Sequence, residues 1–212
     1  GGPTFNGPEV DTIGQANLPF VRKQYRDLGP AMARRSRRLW SRDQKQELTE
    51  RPEPVLTTMF HDSHAFELGG RRFELYSVKG GETVDSLAVW LPRERIVFTG
   101  NMTGPIFGHV PNLYTVRGER YRYVQWYLDS VQRVIDLAPE TLITGHGEPV
   151  RGGEVIRAML TRMRDATQYL RDRTFEGMNE GLTLWELMET ITLPAELAIP
   201  QGHGKVPWIV RA

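Results

Sequence analysis

Three polar side chains follow short apolar runs, as side chains at the ends of β-strands do. Glu82 comes after a pair of glycines, Asn101 follows the run 96–100, and His146 lies between two glycines after the run 141–144. Carboxylate and imidazole groups are common zinc ligands. Strand ends in an α/β protein gather side chains at one rim of the sheet. The spacing therefore predicts one metal-dependent site rather than three unrelated loops.

Local sequence alone leaves other interpretations of these residues open. Glu82 also fits an exposed glutamate in a turn, and Asp85 fits either a partner of a metal ligand or a turn cap. His146 also fits a structural histidine, although a position between two glycines is a poor one for a buried side chain. His61 and His64 flank Asp62-Ser63, which predicts a turn, and we interpret both histidines as surface residues.

Composition limits the functional classes. The 212 residues allow one domain, or one domain with an appendage. A net charge of +1 gives no bulk argument for a nucleic-acid or membrane partner. A basic cluster on a predicted helix, comprising Arg34, Arg35, Arg37, Arg38 and Arg42, fits a solvated helix face better than a nucleic-acid patch. The absence of cysteine excludes disulfides and cysteine ligands. No apolar run reaches the roughly 20 residues of a membrane helix, and the start of the chain lacks a signal-peptide pattern, so we expect a soluble protein of unknown location.

Elements that could hold the site are predicted around it. We expect an irregular arm over 1–19, a helix over 30–48, a strand over 55–60 and a hairpin over 65–78 that turns at Gly69-Gly70. Strands are predicted at 86–91, 96–99 and 141–144, and amphipathic helices at 119–137 and 153–173. A capping box, Thr183 with Glu186, begins a further helix that ends near Pro194.

Several of these runs match one family in order and spacing. Asn112-Leu113-Tyr114-Thr115-Val116-Arg117-Gly118 is similar to an Asn-Leu-x-Thr-Leu-Arg-Gly run of alkyl sulfatases. Phe98-Thr99-Gly100-Asn101 resembles a Phe-Thr-Gly-Asp turn of the metallo-β-lactamase-fold hydrolases, and Gly145-His146 resembles the Gly-His that closes their metal site. Residues from about 30 to 212 therefore resemble the second half of such a hydrolase, most like the alkyl-sulfatase branch.

The resemblance implies a fold, a site and partners. The fold would be α/β, the second half of an αββα metallo-β-lactamase-like domain, with a partial domain over 1–150 and a helical dimerisation segment over 151–212. Glu82 and His146 would be ligands of one or two zinc ions, and Asn101 would stand at the bridging position. Asn112 and Arg117 would hold the sulfate group of a small anionic ester. The expected assembly is a homodimer, without nucleic acid or membrane.

Two departures from the family pattern bear on function. Asn101 stands where the family has a bridging carboxylate, and an uncharged amide does not offset the repulsion between two zinc ions. No His-x-His-x-Asp-His motif, the source of the family's first metal ligands, occurs in the sequence. We therefore expect a zinc-dependent, alkyl-sulfatase-like hydrolase whose chain here is a fragment or has lost its first ligand set. The alternative is a degenerate, non-catalytic relative that acts as a binding or dimerisation module.

Overall fold

The computed structural model describes residues 9–40, 55–114 and 122–212. The chain divides into two compact units, Gly1–Asp62 and Ser63–Ala212. The division predicted at residue 150 stays a prediction. Among the described residues, no helix is both long enough and apolar enough to cross a membrane.

The first unit contains two strands and two helices. Their bounds in chain order are β1 Ile13–Gln15, α1 Leu18–Asp27, α2 Gly29–Trp40 and β2 Thr58–Phe60. β1 pairs in parallel with β2, and the Gln15 side chain donates from Nε2 to the carbonyl of His61 at 3.0 Å. Pro19 lies in the first turn of α1, where its missing N–H leaves no helical hydrogen bond unmade.

The predicted irregular arm over 1–19 is confirmed at residues 9–12, which form no helix or strand, and is wrong from residue 13 onward. Residues 13–15 form β1, because they pair with residues 45 positions further along the chain, and α1 begins at Leu18. A three-residue strand has too short a pattern to be recognised locally. The predicted helix over 30–48 begins at Gly29, and its residues 41–48, including Arg42, lie outside the described ranges. The strand predicted over 55–60 begins only at Thr58.

A six-stranded sheet forms the centre of the second unit. Its strand order follows the chain: β3 Ser63–Leu68, β4 Arg71–Ser77, β5 Leu87–Leu91, β6 Ile96–Gly100, β7 Thr141–Thr144 and β8 Val150–Arg151. All neighbouring pairs are antiparallel except β6 and β7, which are parallel. The predicted hairpin is confirmed, because Gly69 and Gly70 have φ of 59° and 73°, as a two-residue turn of this type requires.

Two helices, α3 Val124–Asp136 and α4 Gly153–Asn179, share one hydrophobic core with the sheet. The buried members from the sheet and the two helices include Val78, Ala88, Trp90, Val97, Tyr127, Val131, Val134, Leu142, Ile156 and Leu160. α3 is shorter than the predicted helix over 119–137, and residues 119–121 of that prediction lie outside the described ranges. α4 continues beyond the predicted end at residue 173 to Asn179. The predicted α/β class is confirmed.

The chain ends in short helices that pack around a second core cluster. α5 Leu184–Thr190 begins at the predicted capping box: the Glu186 amide donates to Thr183 Oγ1, and the Thr183 amide donates to Glu186 Oε2 at 2.7 Å. A 3₁₀ turn, Ala195–Leu197, and α6 Val206–Arg211 follow. Buried residues of α5 and α6 pack against one residue of the loop before α3 and one residue of α4. This second core cluster consists of Val110, Leu170, Leu187, Val206, Ile209 and Val210.

Candidate active site

The turns that carry Asn101 and His146 lie side by side at one end of the sheet. Gly100, at the end of β6, is paired with Thr144, at the end of β7, and the amide of Gly145 donates to the carbonyl of Gly100 at 2.8 Å. A Cβ on Gly145 would collide with Oδ1 of Asn101. Parallel pairing of β6 and β7 thus brings the turn of Asn101 beside the turn of His146, although these two residues lie 45 positions apart.

The Glu82 turn reaches the same end of the sheet. A Cβ on Gly81 would collide with the carbonyl of Met102, and a Cβ on Gly80 would lie 2.5 Å from the amide nitrogen of Tyr127. The two glycines therefore let the turn fit between the residue that follows Asn101 and the first turn of α3. This contact brings the turn of the third predicted ligand, Glu82, against the Asn101 turn.

Hydrogen bonds within the Glu82 turn fix its path. The amide of Thr83 donates to Ser86 Oγ at 3.1 Å, and the Thr83 hydroxyl bonds to the Asp85 carboxylate. The Val78 amide donates to the carbonyl of Ser86 at 3.0 Å. Asp85 therefore acts within the turn, which agrees with the turn-cap interpretation of this residue.

Arg122 is part of the site and was missed in the sequence interpretation. Its side chain is only 3% exposed, and its Nη2 lies 3.0 Å from Oε2 of Glu82. Its Nη1 donates to the carbonyl of Asn112 at 2.9 Å and to that of Gly81 at 3.3 Å. The sequence signal was weak, because Arg122 falls inside the helix predicted over 119–137 and follows two other arginines, a setting typical of a solvated helix face.

Asn112 lies in a largely buried loop between Val110 and Leu113. Its Oδ1 is buried and has no hydrogen-bond partner among the described residues. The oxygen and nitrogen of an amide are assigned from the hydrogen-bond network, so the buried polar atom is either an acceptor or a donor. Buried polar atoms normally have partners, and a bound ligand would supply one here. Arg117, the second predicted sulfate contact, lies outside the described residues.

The segment before α6 fastens the loop that leads to Asn112. His109 Nδ1 accepts a hydrogen bond from the amide of Gly202 at 3.0 Å. Val110 exchanges backbone hydrogen bonds with this segment: its amide donates to Pro200, and its carbonyl accepts from Gly204. His203 packs against Gly104, where a Cβ would lie 2.8 Å from the imidazole ring.

The described residues do not complete a zinc site by themselves. No group of three or more His, Cys, Asp or Glu side chains suitable for a metal occurs in 9–40, 55–114 and 122–212. Glu82 is partly exposed and paired with Arg122, and His146 is exposed. A catalytic zinc ion takes three protein ligands and keeps one open position. Glu82 and His146 supply two such donors, and Asn101 adds only an uncharged amide.

Comparison with known proteins finds sequence similarity to alkylsulfatases. No protein-family model matches the chain. The chain is 32% identical over 161 residues to a linear primary-alkylsulfatase of a Pseudomonas species, a match that covers 73% of this chain and 30% of the relative. It is 31% identical over 147 residues to an (R)-specific secondary-alkylsulfatase of Pseudomonas, covering 68% and 21%. An alkyl/aryl-sulfatase of Saccharomyces cerevisiae is 28% identical over 133 residues, covering 61% and 20%.

Solved structures of alkylsulfatases and of a metallo-β-lactamase family protein share the fold of this chain. The stereoselective inverting sec-alkylsulfatase Pisa1 of Pseudomonas superposes with a TM-score of 0.80 at 22% identity, covering 95% of this chain and 35% of that one. A metallo-β-lactamase family protein of Thermus thermophilus gives 0.51 at 18% identity, covering 78% and 54%. The chain has the metallo-β-lactamase-like fold of these solved structures. Its sequence is similar to those of alkylsulfatases over 73% and 68% of its own length.

These comparisons confirm the predicted resemblance to hydrolases of this fold. The chain spans less than a third of the length of the curated relatives that it matches. The metal and anion roles predicted for Glu82, Asn101, His146, Asn112 and Arg117 stay predictions.

Proposed function

We propose that this chain is part of a hydrolase of the sulfatase kind that acts on a small anionic ester such as an alkyl sulfate. The observation that carries the proposal is the packing of the Asn101 turn against both the Glu82 turn and the His146 turn at one end of the sheet. Arg122 joins this cluster to the Asn112 loop. The alkylsulfatase relatives support the choice of substrate class.

Asn112 and Arg117 are proposed to bind the anionic head group. An arginine presents a planar fork of donors that matches the oxygens of a sulfate group. Asn112 already has a buried polar atom without a partner among the described residues, and a bound oxygen or hydroxyl group would satisfy it. The two side chains would therefore orient the ester so that its bond to the alkyl group lies beside the turns of Glu82, Asn101 and His146.

Zinc remains part of the proposal on a condition. Glu82 and His146 are two donors, so the remaining donors have to come from residues outside the described ranges or from a partner chain. Asn101 brings no negative charge to offset the repulsion between two close metal ions. One zinc ion is therefore the expected occupancy, in preference to two.

The test is sulfate release by the protein at its full natural length. We expect turnover of a medium-chain alkyl sulfate, with zinc present by elemental analysis, and a loss of at least about 100-fold in kcat/KM for His146→Ala. The substitution Arg151→Lys, at an exposed position in β8, is a control that should leave turnover unchanged. Absence of turnover on alkyl, aryl and phosphate esters, or turnover that His146→Ala leaves intact, would contradict the proposal.

A second candidate function is that of a non-catalytic relative that binds an anion or a partner chain. Asn101 in place of a carboxylate, and the two-donor set of Glu82 and His146, favour this candidate. It predicts that sulfate or an alkyl sulfate binds with measurable heat but is not hydrolysed. Calorimetry and sulfate release on the same sample distinguish the two functions.

A homodimer is proposed through the helical segment 151–212. Exposed apolar side chains cluster in sequence at the end of α4 and the start of α5, namely Phe175, Met178, Leu182, Leu184 and Trp185. Trp185 is 64% exposed, which is unusual for a large aromatic side chain without a partner. Light scattering should give twice the chain mass, and Met178→Glu with Trp185→Glu should give the monomer. A monomer at micromolar concentration in the unsubstituted protein would contradict this assembly.

A further inference from the structure

The Arg122 side chain links two loops that are far apart in sequence. Nη2 pairs with the Glu82 carboxylate, and Nη1 donates to the carbonyls of Gly81 and Asn112. The first two acceptors belong to the turn of a predicted metal ligand, and the third belongs to a predicted anion-binding residue. One guanidinium therefore spans the two ends of the candidate site.

Stability alone is a poor explanation for this arrangement. A buried ion pair gains little net stability, because removing two charges from water offsets most of their attraction. What a buried pair does supply is geometry, since the planar fork of arginine holds several acceptors at fixed angles. A lysine at this position would bring the same charge on a single nitrogen and could not reproduce that geometry.

Contact with Arg122 is compatible with coordination by Glu82. An ionised carboxylate has two oxygens, and the guanidinium lies 3.0 Å from one of them, Oε2. Carboxylates that bind metals are commonly held by such outer partners, and loss of the partner typically reduces metal affinity or activity by about 10- to 100-fold.

We propose that Arg122 is a positioning residue that holds the Glu82 turn and the Asn112 loop in one geometry, so that the catalytic and anion-binding ends of the site act together. The proposal rests on the proposed function for its kinetic consequence, but the coupling of the two loops does not depend on it. A second arginine contact lies nearby and is separate from this link. The Arg211 guanidinium lies 4.7 Å from the centre of the Tyr114 ring, two residues after Asn112.

The kinetic test compares two conservative arginine substitutions on the full-length protein. Arg122→Lys should lower kcat/KM for an alkyl sulfate by about 10- to 100-fold, with kcat falling as well as KM rising. Arg164→Lys is the matched control: Arg164 lies in α4, is partly buried, and donates from Nε to the Asp165 carboxylate at 2.8 Å. This control should change kcat/KM by less than about twofold. Its shift in unfolding temperature should match that of Arg122→Lys.

Chemical rescue separates positioning from general destabilisation. Arg122→Ala should lose activity, and millimolar guanidinium should restore part of it by filling the space of the missing side chain. Methylammonium and sodium at the same concentration should not. If Arg122→Lys keeps full activity, or if guanidinium fails to raise the activity of Arg122→Ala while that variant stays folded, the positioning role is wrong.

A measurement independent of turnover keeps this inference separate from the proposed function. Hydrogen exchange of the 110–113 loop should accelerate in Arg122→Lys and in Glu82→Gln, and the double variant should show no further increase beyond the larger single effect. Additive increases would mean that the two residues are not coupled and would overturn the inference. If the coupling is found in a protein that hydrolyses no ester, the proposed function fails and the link between the loops stands.

Discussion

The amide oxygen of Asn101 lies in the space that a Cβ on Gly145 would occupy. The Asn101 turn follows β6, and Gly145 follows β7, so this contact joins the ends of the two parallel strands. Because His146 directly follows Gly145, the same approach brings the His146 turn next to the turn that carries Asn101.

Gly145→Ala should destabilise the protein by about 1 to 3 kcal/mol, because the new methyl group collides with the Asn101 side chain. The change is measured as a lower midpoint of denaturant unfolding. Gly29→Ala is the control: a Cβ at Gly29 meets nothing within 4 Å, so this substitution should be neutral or slightly stabilising. Adding Asn101→Ala should recover much of the loss in Gly145→Ala, and no recovery would contradict the contact.

Asn101→Asp should raise zinc uptake by the full-length protein. The substitution keeps the shape of the side chain beside Gly145 and adds the negative charge that offsets repulsion between metal ions. Elemental analysis after dialysis against limiting zinc should show more metal per chain than in the unsubstituted protein. Asn179→Asp adds the same charge at an exposed residue of α4 and should leave zinc content unchanged. Equal zinc content in all three proteins would show that Asn101 is not a metal position.

The hydrogen bond from the Gly202 amide to His109 Nδ1 should protect that amide from exchange. In His109→Ala the acceptor is gone, so amide exchange at Gly202 should accelerate. His109→Asn keeps a side-chain acceptor and should exchange more slowly than His109→Ala. Equal exchange at Gly202 in His109→Ala and the unsubstituted protein would show that this bond does not hold the segment.

The capping box of α5 should weaken as the pH falls. Hydrogen bonds from the backbone and hydroxyl of Thr183 lower the pKa of the Glu186 carboxyl group. A carboxyl group with a lowered pKa in the folded state contributes stability above its ordinary pKa and loses it as pH falls through the folded value. Helix α5 should therefore fray in acid, as followed by amide exchange at Glu186. Glu186→Gln can still accept the Thr183 bonds without a charge, so its exchange should depend less on pH.

Features governed by neighbouring residues were predictable from sequence. The hairpin at Gly69-Gly70 and the capping box at Thr183 each depend on a few adjacent residues, and both occur as predicted. The strands Leu87–Leu91 and Thr141–Thr144 follow from short apolar runs. One shared rim for Glu82, Asn101 and His146 was predicted because each residue follows a short apolar run, whereas the strand order comes from the structure.

Long-range packing decided what the sequence alone did not. β1 forms because it pairs with a strand 45 residues away, and three residues carry no recognisable period. Arg122 is buried because Glu82 and two backbone carbonyls surround it, whereas its own neighbours in sequence resemble those of a surface arginine. Local residue types determined the strands, turns and caps, since these depend on backbone preferences and nearby hydrogen bonds. Only the tertiary structure decided which charge is buried against which loop, because that depends on groups brought together from distant parts of the chain.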